Sequence, residues 1–160
     1  MHFQDLSRCD YFRANDALVS IGWLERGQDY QRGEVSEEFS NKLQSLLVRP
    51  FQPSMKMGWH TCDLCHKIED GPLFVTFQGK SVKMGISNLF VPAVDKVFVS
   101  PSLIVHYILE HNYKPPDVFI EAVRSCPEML SLEYFRQLVA SGMKVDPGHL
   151  ETIYGLRLDS

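Results

Sequence analysis

The first long periodic segment of the chain predicts an amphipathic helix. Ser36 suits the N-cap, and Glu37 and Glu38 fall in the first turn, where the helix dipole favours acidic side chains. The apolar residues at i, i+4, i+7 and i+8 then form one stripe: Phe39, Leu43, Leu46 and Leu47. Pro50 and Pro53 prevent the helix from continuing.

The centre of the chain, about residues 57–99, alternates short apolar runs with turn residues and predicts β-strands. "LFVTFQGKSVKMGI" indicates a hairpin that turns around Gly79, and "LFVPAVDKVFV" indicates two further strands that meet near Asp95. Upstream, "ALVSIGWLERG" predicts one more short strand that ends in a turn at Gly27.

The rest of the chain predicts helices. Ser100 as N-cap and Pro101 as first residue begin a helix that runs to about Asn112. Three more helices open at Pro115-Pro116, at Ser131 and at Asp146-Pro147. The helix after Ser131 has an apolar stripe and then a glycine stop: Leu132, Phe135, Leu138, Val139 and Gly142. Together these elements predict an α+β fold.

Composition is that of an ordinary globular protein of one domain, or one domain with a helical extension: 160 residues, 44% hydrophobic and 22% charged. No window approaches the run of about 20 apolar residues that a membrane helix needs. The first residues lack a secretory pattern, so we expect a reducing, cytoplasmic location. Net charge is -4, which disfavours nucleic acid as the partner but leaves room for a local basic patch.

The stretch "MGWHTCDLCHK", residues 57–67, places two cysteines at C-x-x-C spacing between two histidines. In a reducing compartment this spacing indicates a metal knuckle or a redox pair. Zinc prefers four tetrahedral ligands, and Cys62 and Cys65 can supply two from one tight turn. His106 and His111 in the predicted helix can supply the others. They lie about 1.4 helical turns apart, so we expect the last turn of the helix to be loosened.

Other interpretations of the C-x-x-C are a redox pair, a catalytic zinc site and chance. A thioredoxin-like pair needs a buried strand before it and a helix after it, and neither is predicted here. A zinc deaminase needs H-x-E and P-C-x-x-C, but Thr61 stands before Cys62. Two thiolates and two imidazoles leave no open position for water, so we expect the zinc to be structural. His60 is the reserve ligand, and His66 is expected to face solvent.

The chain also resembles an uncharacterised family of small bacterial proteins. The shared phrases are "DLSRCDYF", "VSIGWLERG", "SEEFSNKLQSL", "GWHTCDLC" and "PSLIVHYILEHNYKPPDVFIEAV", within about residues 5–124. In that family G-x-H-x-C-x-x-C is followed by an H-x4-H helix. The resemblance implies a shared zinc-finger-like constellation with His60 as an additional candidate: Cys62, Cys65, His106 and His111. The family carries no established activity.

This chain departs from the family in a longer insert, at about residues 67–85, and in helices added from Ser125. We therefore expect a zinc-knuckle core domain at residues 1–124 and a helical extension packed on it at residues 125–160. The added helices are the expected partner surface. Core packing is the favoured role of three aromatic residues there, and anchoring a partner is the alternative: Tyr134, Phe135 and Tyr154.

Three function classes remain to be weighed. Interpreted as a DNA-reading finger, the helix region would present Val99, Ser102 and Val105 to the bases, and none of them can make bidentate contacts. An enzyme would need a zinc site with three protein ligands and a water, because no nucleophile elbow or phosphate loop occurs. We expect instead a non-catalytic module that binds another protein, like an immunity protein, an antitoxin or an adaptor. The pattern leaves the oligomeric state open.

Overall fold

The computed structural model describes residues 1–12, 16–54, 59–65 and 73–159. These residues form five strands: β1 (Leu18–Ser20), β2 (Phe74–Phe77), β3 (Lys80–Lys83), β4 (Asn88–Ala93) and β5 (Lys96–Pro101). They also form five α-helices: α1 (Glu37–Leu47), α2 (Ile104–His111), α3 (Asp117–Ser125), α4 (Leu132–Ala140) and α5 (Pro147–His149), the last continued by a π-helical turn (Leu150–Tyr154). The predicted α+β class is confirmed.

Strand β5 is the centre of the main sheet. It pairs in parallel with β1, in the register Leu18↔Val97, and antiparallel with β4, in the register Phe90↔Val99. Its four residues from Val97 to Ser100 are buried. The hairpin of β2 and β3 is a separate two-stranded sheet that turns at Gln78 and Gly79, as predicted. The main sheet therefore supplies the floor on which the helices pack.

The start of α2 differs from the prediction. Ser100 and Pro101 lie in β5, paired with Leu89 and Asn88, and α2 begins only at Ile104. The cap signal is overridden because ladder pairing with β4 extends the strand by two residues. Ser102 lies between the two elements, and its hydroxyl accepts hydrogen bonds from the backbone of Gly85 and Ser87.

Helix α1 confirms its predicted pattern. The Ser36 hydroxyl accepts a hydrogen bond from the Phe39 N–H, and the predicted apolar stripe is buried. Phe39 packs edge to face against Phe119 of α3, with the ring centroids 6.3 Å apart. With 11 residues, α1 is the longest helix among the described residues, and none of those helices is long and apolar enough to cross a bilayer.

The C-terminal helices share the core of the sheet. The Tyr134 hydroxyl donates a 2.6 Å hydrogen bond to the Phe90 carbonyl of β4, and the Ser141 hydroxyl donates to the Ala93 carbonyl. Phe135 packs edge to face on Phe51 at 5.0 Å. These contacts join α4 to the main sheet. The division at residues 124 and 125, which falls in the last turn of α3, stays a prediction.

One expectation about α4 was wrong. The pattern predicts Val139 in the buried stripe, but Val139 is 45% exposed, while Tyr134 is fully buried in its stead. Core packing, the favoured role of Tyr134 and Phe135, is confirmed, so these two rings do not anchor a partner. The Tyr134 ring can be buried because its hydroxyl donates a hydrogen bond to the Phe90 carbonyl.

Phe135→Ala tests whether the C-terminal helices belong to the same cooperative core. Removing this fully buried ring should lower the free energy of unfolding by about 3 to 5 kcal/mol, because a cavity is left under Phe51. Val139→Ala on the exposed side of the same helix should change it by less than about 1 kcal/mol. Urea unfolding of the full chain measures both. Equal effects would show that α4 does not contribute to the core.

Candidate metal centre

The cysteine half of the site is positioned by a close backbone crossing. The His60 N–H donates a 2.7 Å hydrogen bond to the carbonyl of Gly85, just after β3. Gly85 has φ +87°, and a Cβ there would lie 2.2 Å from the His60 carbonyl oxygen. Only glycine meets both conditions, the left-handed backbone and the close approach. The Gly85 N–H in turn bonds to the Ser102 hydroxyl, which ties this crossing to the start of α2.

The histidine half is built by α2 and its widened end. His106 is buried in the body of the helix, and His111 is its last residue. The Asn112 N–H bonds to the Tyr107 carbonyl, five residues back, while Asn112 adopts the left-handed conformation. This loosened last turn was expected, and it brings the two imidazole rings to a centroid separation of 5.1 Å.

The two halves meet at one point. Cys65 Sγ lies 3.2 Å from His106 Nε2 and 3.4 Å from His111 Nε2, and Cys62 Sγ lies 3.3 Å from His111 Nε2. All four ligand atoms lie within 4.8 Å of one another. A tetrahedral ion with metal–sulfur and metal–nitrogen bonds of about 2.3 and 2.0 Å needs sulfur–nitrogen separations of about 3.6 Å. The observed spacing fits such an ion, so the cluster can bind a metal.

Burial disfavours an uncompensated thiolate in the cluster. It raises the pKa of the Cys62 thiol to about 11, because the thiolate loses solvation there. Burial also raises the pKa of the Tyr107 phenol, and the negative charges of Cys62 and Asp63 add to that shift. A bound metal ion would offset the cost of holding thiolates here.

A third segment, residues 26–33, holds both halves and was missed by sequence reasoning. The Arg26 N–H donates to Asp63 Oδ2 at 2.8 Å, and the Arg26 guanidinium donates to the Cys65 carbonyl at 3.0 Å. The Tyr30 hydroxyl donates to the His111 carbonyl at 3.0 Å. No spacing pattern reveals these partners, because they lie between 37 and 81 residues apart in the chain.

The same segment continues along the chain that leaves α2. The Gly33 N–H donates to the Asn112 carbonyl, and the Lys114 N–H donates to the Gln31 carbonyl. These backbone bonds fix where α2 ends. The ligand atoms are therefore placed by backbone contacts on both sides as well as by their own side chains.

The remaining histidines stand apart from the cluster. His60 is exposed and lines a neighbouring cavity, and its part as reserve ligand stays a prediction. His66 lies outside the described residues, as does part of the insert predicted at about residues 67–85.

Comparison with known proteins adds a family. A family described as "Domain of unknown function (DUF7919)" matches residues 1–124, a span that includes all four cluster residues and ends before α4. No curated protein matches the chain, and no solved structure matches it.

Gly85→Ala tests the backbone crossing. The added methyl group must displace the His60 carbonyl, so the cysteines should shift away from the histidines. We expect affinity for Zn²⁺ to fall by about 10- to 100-fold. Competition against a chromophoric zinc chelator measures the change.

Gly79→Ala is the matched control. Gly79 has a similar φ of +78°, but a Cβ there meets nothing within 4 Å. It should carry the backbone strain of a left-handed alanine while leaving zinc affinity unaltered. An equal loss of affinity in both variants would contradict a specific role for the crossing at Gly85.

Proposed function

Since the chain belongs to the DUF7919 family, whose function is unknown, we propose from its own site that it is a zinc-stabilised, non-catalytic protein-interaction module. It would act in a bacterial cytoplasm as an immunity protein, an antitoxin or an adaptor does. The observation that carries this proposal is the closed set of four donors: Cys62, Cys65, His106 and His111.

Zinc is the ion that this donor set suits best. Two thiolates and two imidazoles around a tetrahedral point are typical of structural zinc, whereas carboxylate and carbonyl oxygens would favour magnesium or calcium. The charge of the ion would be balanced by the two thiolates. Zinc would link Cys65 to His106, 41 residues further on, and so close a long loop.

The closed set counts against a zinc-dependent hydrolase. Catalytic zinc sites use three protein ligands and keep the fourth position for water or substrate. Here Cys62 and Cys65 both lie within 3.5 Å of the His111 imidazole, so the four donors surround the point where a metal would sit. An open position would require one of these side chains to move away.

The burial pattern counts against a nucleic-acid-reading finger. The positions that would face bases are Val99, Ser102 and Val105, and all three are buried. The Ser102 hydroxyl already accepts a hydrogen bond from the Gly85 N–H. The net charge of -4 adds an unfavourable electrostatic term for a phosphate backbone.

A protein partner fits the charge of the chain. With 20 acidic and 16 basic side chains, the surface favours a partner of opposite sign. Charge complementarity accelerates association and suppresses wrong partners, which is what an inhibitor of a basic protein needs.

The double variant Cys62→Ser, Cys65→Ser tests the zinc assignment. Wild-type protein should hold about one Zn²⁺ per chain, and the variant should hold none. Adding a chelator to the wild type should raise amide hydrogen exchange within about residues 57–115, while α1, α3 and α4 stay protected. Elemental analysis and hydrogen-exchange mass spectrometry measure these outcomes.

The control is Cys126, one of two buried cysteines outside the cluster. Cys126→Ala should keep its zinc, although burial raises the pKa of Cys126 to about 12 and removes it from solvent just as for Cys62. Cobalt-loaded wild type should show a tetrahedral absorption spectrum that excess azide does not alter. Zinc-free wild type would refute the assignment, and an azide-sensitive cobalt spectrum would favour the hydrolase.

The interaction itself is tested by affinity capture. Zinc-loaded wild type should retain a basic protein from a bacterial lysate, and rising salt should release it. The double serine variant, used as the matched bait, should retain much less of that protein, because no zinc holds its cysteine segment in place. Recovery of the same proteins on both baits, or binding that salt does not affect, would contradict the proposal.

A further inference from the structure

A cavity of about 300 Å³ lies beside the metal centre. Its walls include the aromatic side chains of Tyr11, Trp23 and Tyr107, and its polar lining includes Thr61 and Asp63 of the cysteine segment. This volume is at the lower end of the range for ligand sites, which suits one long side chain or a small molecule.

The aromatic part of the cavity is held in place. The Trp23 indole N–H donates a 3.0 Å hydrogen bond to the Val99 carbonyl of β5. Tyr11 packs against Trp23 with the ring centroids 5.3 Å apart, and Phe3 makes an edge-to-face contact with Trp23 at 5.4 Å. The rings therefore form a preformed wall, which a ligand does not have to order.

One carboxylate, that of Asp63, lies among the described residues that line the cavity, and its Oδ2 accepts a hydrogen bond from the Arg26 N–H. The Arg26 guanidinium donates to the Cys65 carbonyl on the same segment. Among the described residues that line the cavity there is no lysine or arginine, and the Met1 amino group is paired with Glu25 at 3.5 Å. The proposed zinc centre is electrically neutral with two thiolates, so it does not cancel the charge of Asp63.

We propose that this cavity receives a lysine or arginine side chain of the partner protein. Aromatic faces attract a cation, the Asp63 carboxylate can pair with it, and the aliphatic stem of such a side chain suits the apolar wall. This inference rests on the proposed function, and it names the chemistry by which the module recognises a basic partner.

The position of the cavity would couple recognition to the metal. Thr61 and Asp63 flank Cys62 in the chain, so the ion that holds Cys62 also holds these two lining residues. Tyr11 and Trp23 lie in the N-terminal part of the chain, where the Trp23 indole is held by the Val99 carbonyl of β5 and not by the cysteine segment. Removal of zinc should therefore open one side of the cavity and weaken binding of the cation.

The experiment uses the zinc-loaded full chain with Trp59→Phe, which leaves Trp23 as the only tryptophan. N-acetyl-arginine amide is titrated while the fluorescence of Trp23 is followed. We expect a saturable change, about tenfold weaker binding of the uncharged isostere N-acetyl-citrulline amide, and about fivefold weaker binding after Asp63→Asn. Asparagine can still accept the Arg26 N–H, so the variant should keep its zinc, which elemental analysis checks.

Asp95→Asn is the matched control, an exposed acid at the β4–β5 turn whose φ of +58° asparagine tolerates. It should leave binding unchanged. Absence of a saturable signal, equal binding of arginine and citrulline derivatives, or no effect of Asp63→Asn would overturn the proposal. Agmatine binding more than about tenfold tighter than the capped amino acid would assign the cavity to a free amine instead. Zinc content and partner capture are measured in separate experiments. A negative arginine titration would therefore contradict the proposed cation site without contradicting the proposed function.

Discussion

Two cysteines and two histidines from distant parts of the chain have to meet at one point, and much of the fold follows from this requirement. Cys65 and His106 are 41 residues apart, yet Sγ and Nε2 lie 3.2 Å from each other. Strands β2 to β5 lie between these two residues in the chain, and they bring α2 back to the cysteine segment. The Gly85 carbonyl accepts a hydrogen bond from the His60 N–H, and the Gly85 N–H donates one to the Ser102 hydroxyl. One residue therefore connects the cysteine segment to the start of α2.

The site is supported by backbone polar groups as much as by side chains. Residues 26–33 touch the cysteine segment at one end and the exit of α2 at the other. Such a frame lowers the reorganisation that metal binding requires, because ligands held near their final positions lose little freedom. It also keeps the Cys62 thiol 3.3 Å from the His111 imidazole.

The arrangement also separates stability from recognition. The sheet, α1, α3 and α4 bury the large aromatic rings, including Tyr134 and Phe135, and form the rigid part of the molecule. The cysteine segment is joined to it by hydrogen bonds to Gly85 and Arg26. In the proposed function a metal would also hold this segment, and its exposed residues Thr61 and Asp63 would meet the partner.

Local patterns were enough to predict α1, the β2–β3 hairpin, the loosened end of α2 and the four residues that come together in the cluster. The helix, the hairpin and each half of the cluster depend on caps, turn residues and ligand spacing, which act within a few residues of one another. The joining of the two halves was predicted from the four ligands that zinc requires. Tertiary structure decided the rest. It extended β5 through Ser100 and Pro101, because pairing with β4 outweighs a cap signal. It also buried Tyr134 in place of Val139 and brought Arg26 and Tyr30 to the site. Those outcomes rest on hydrogen bonds and packing between residues tens of positions apart, and no local pattern encodes which carbonyl a distant donor will reach.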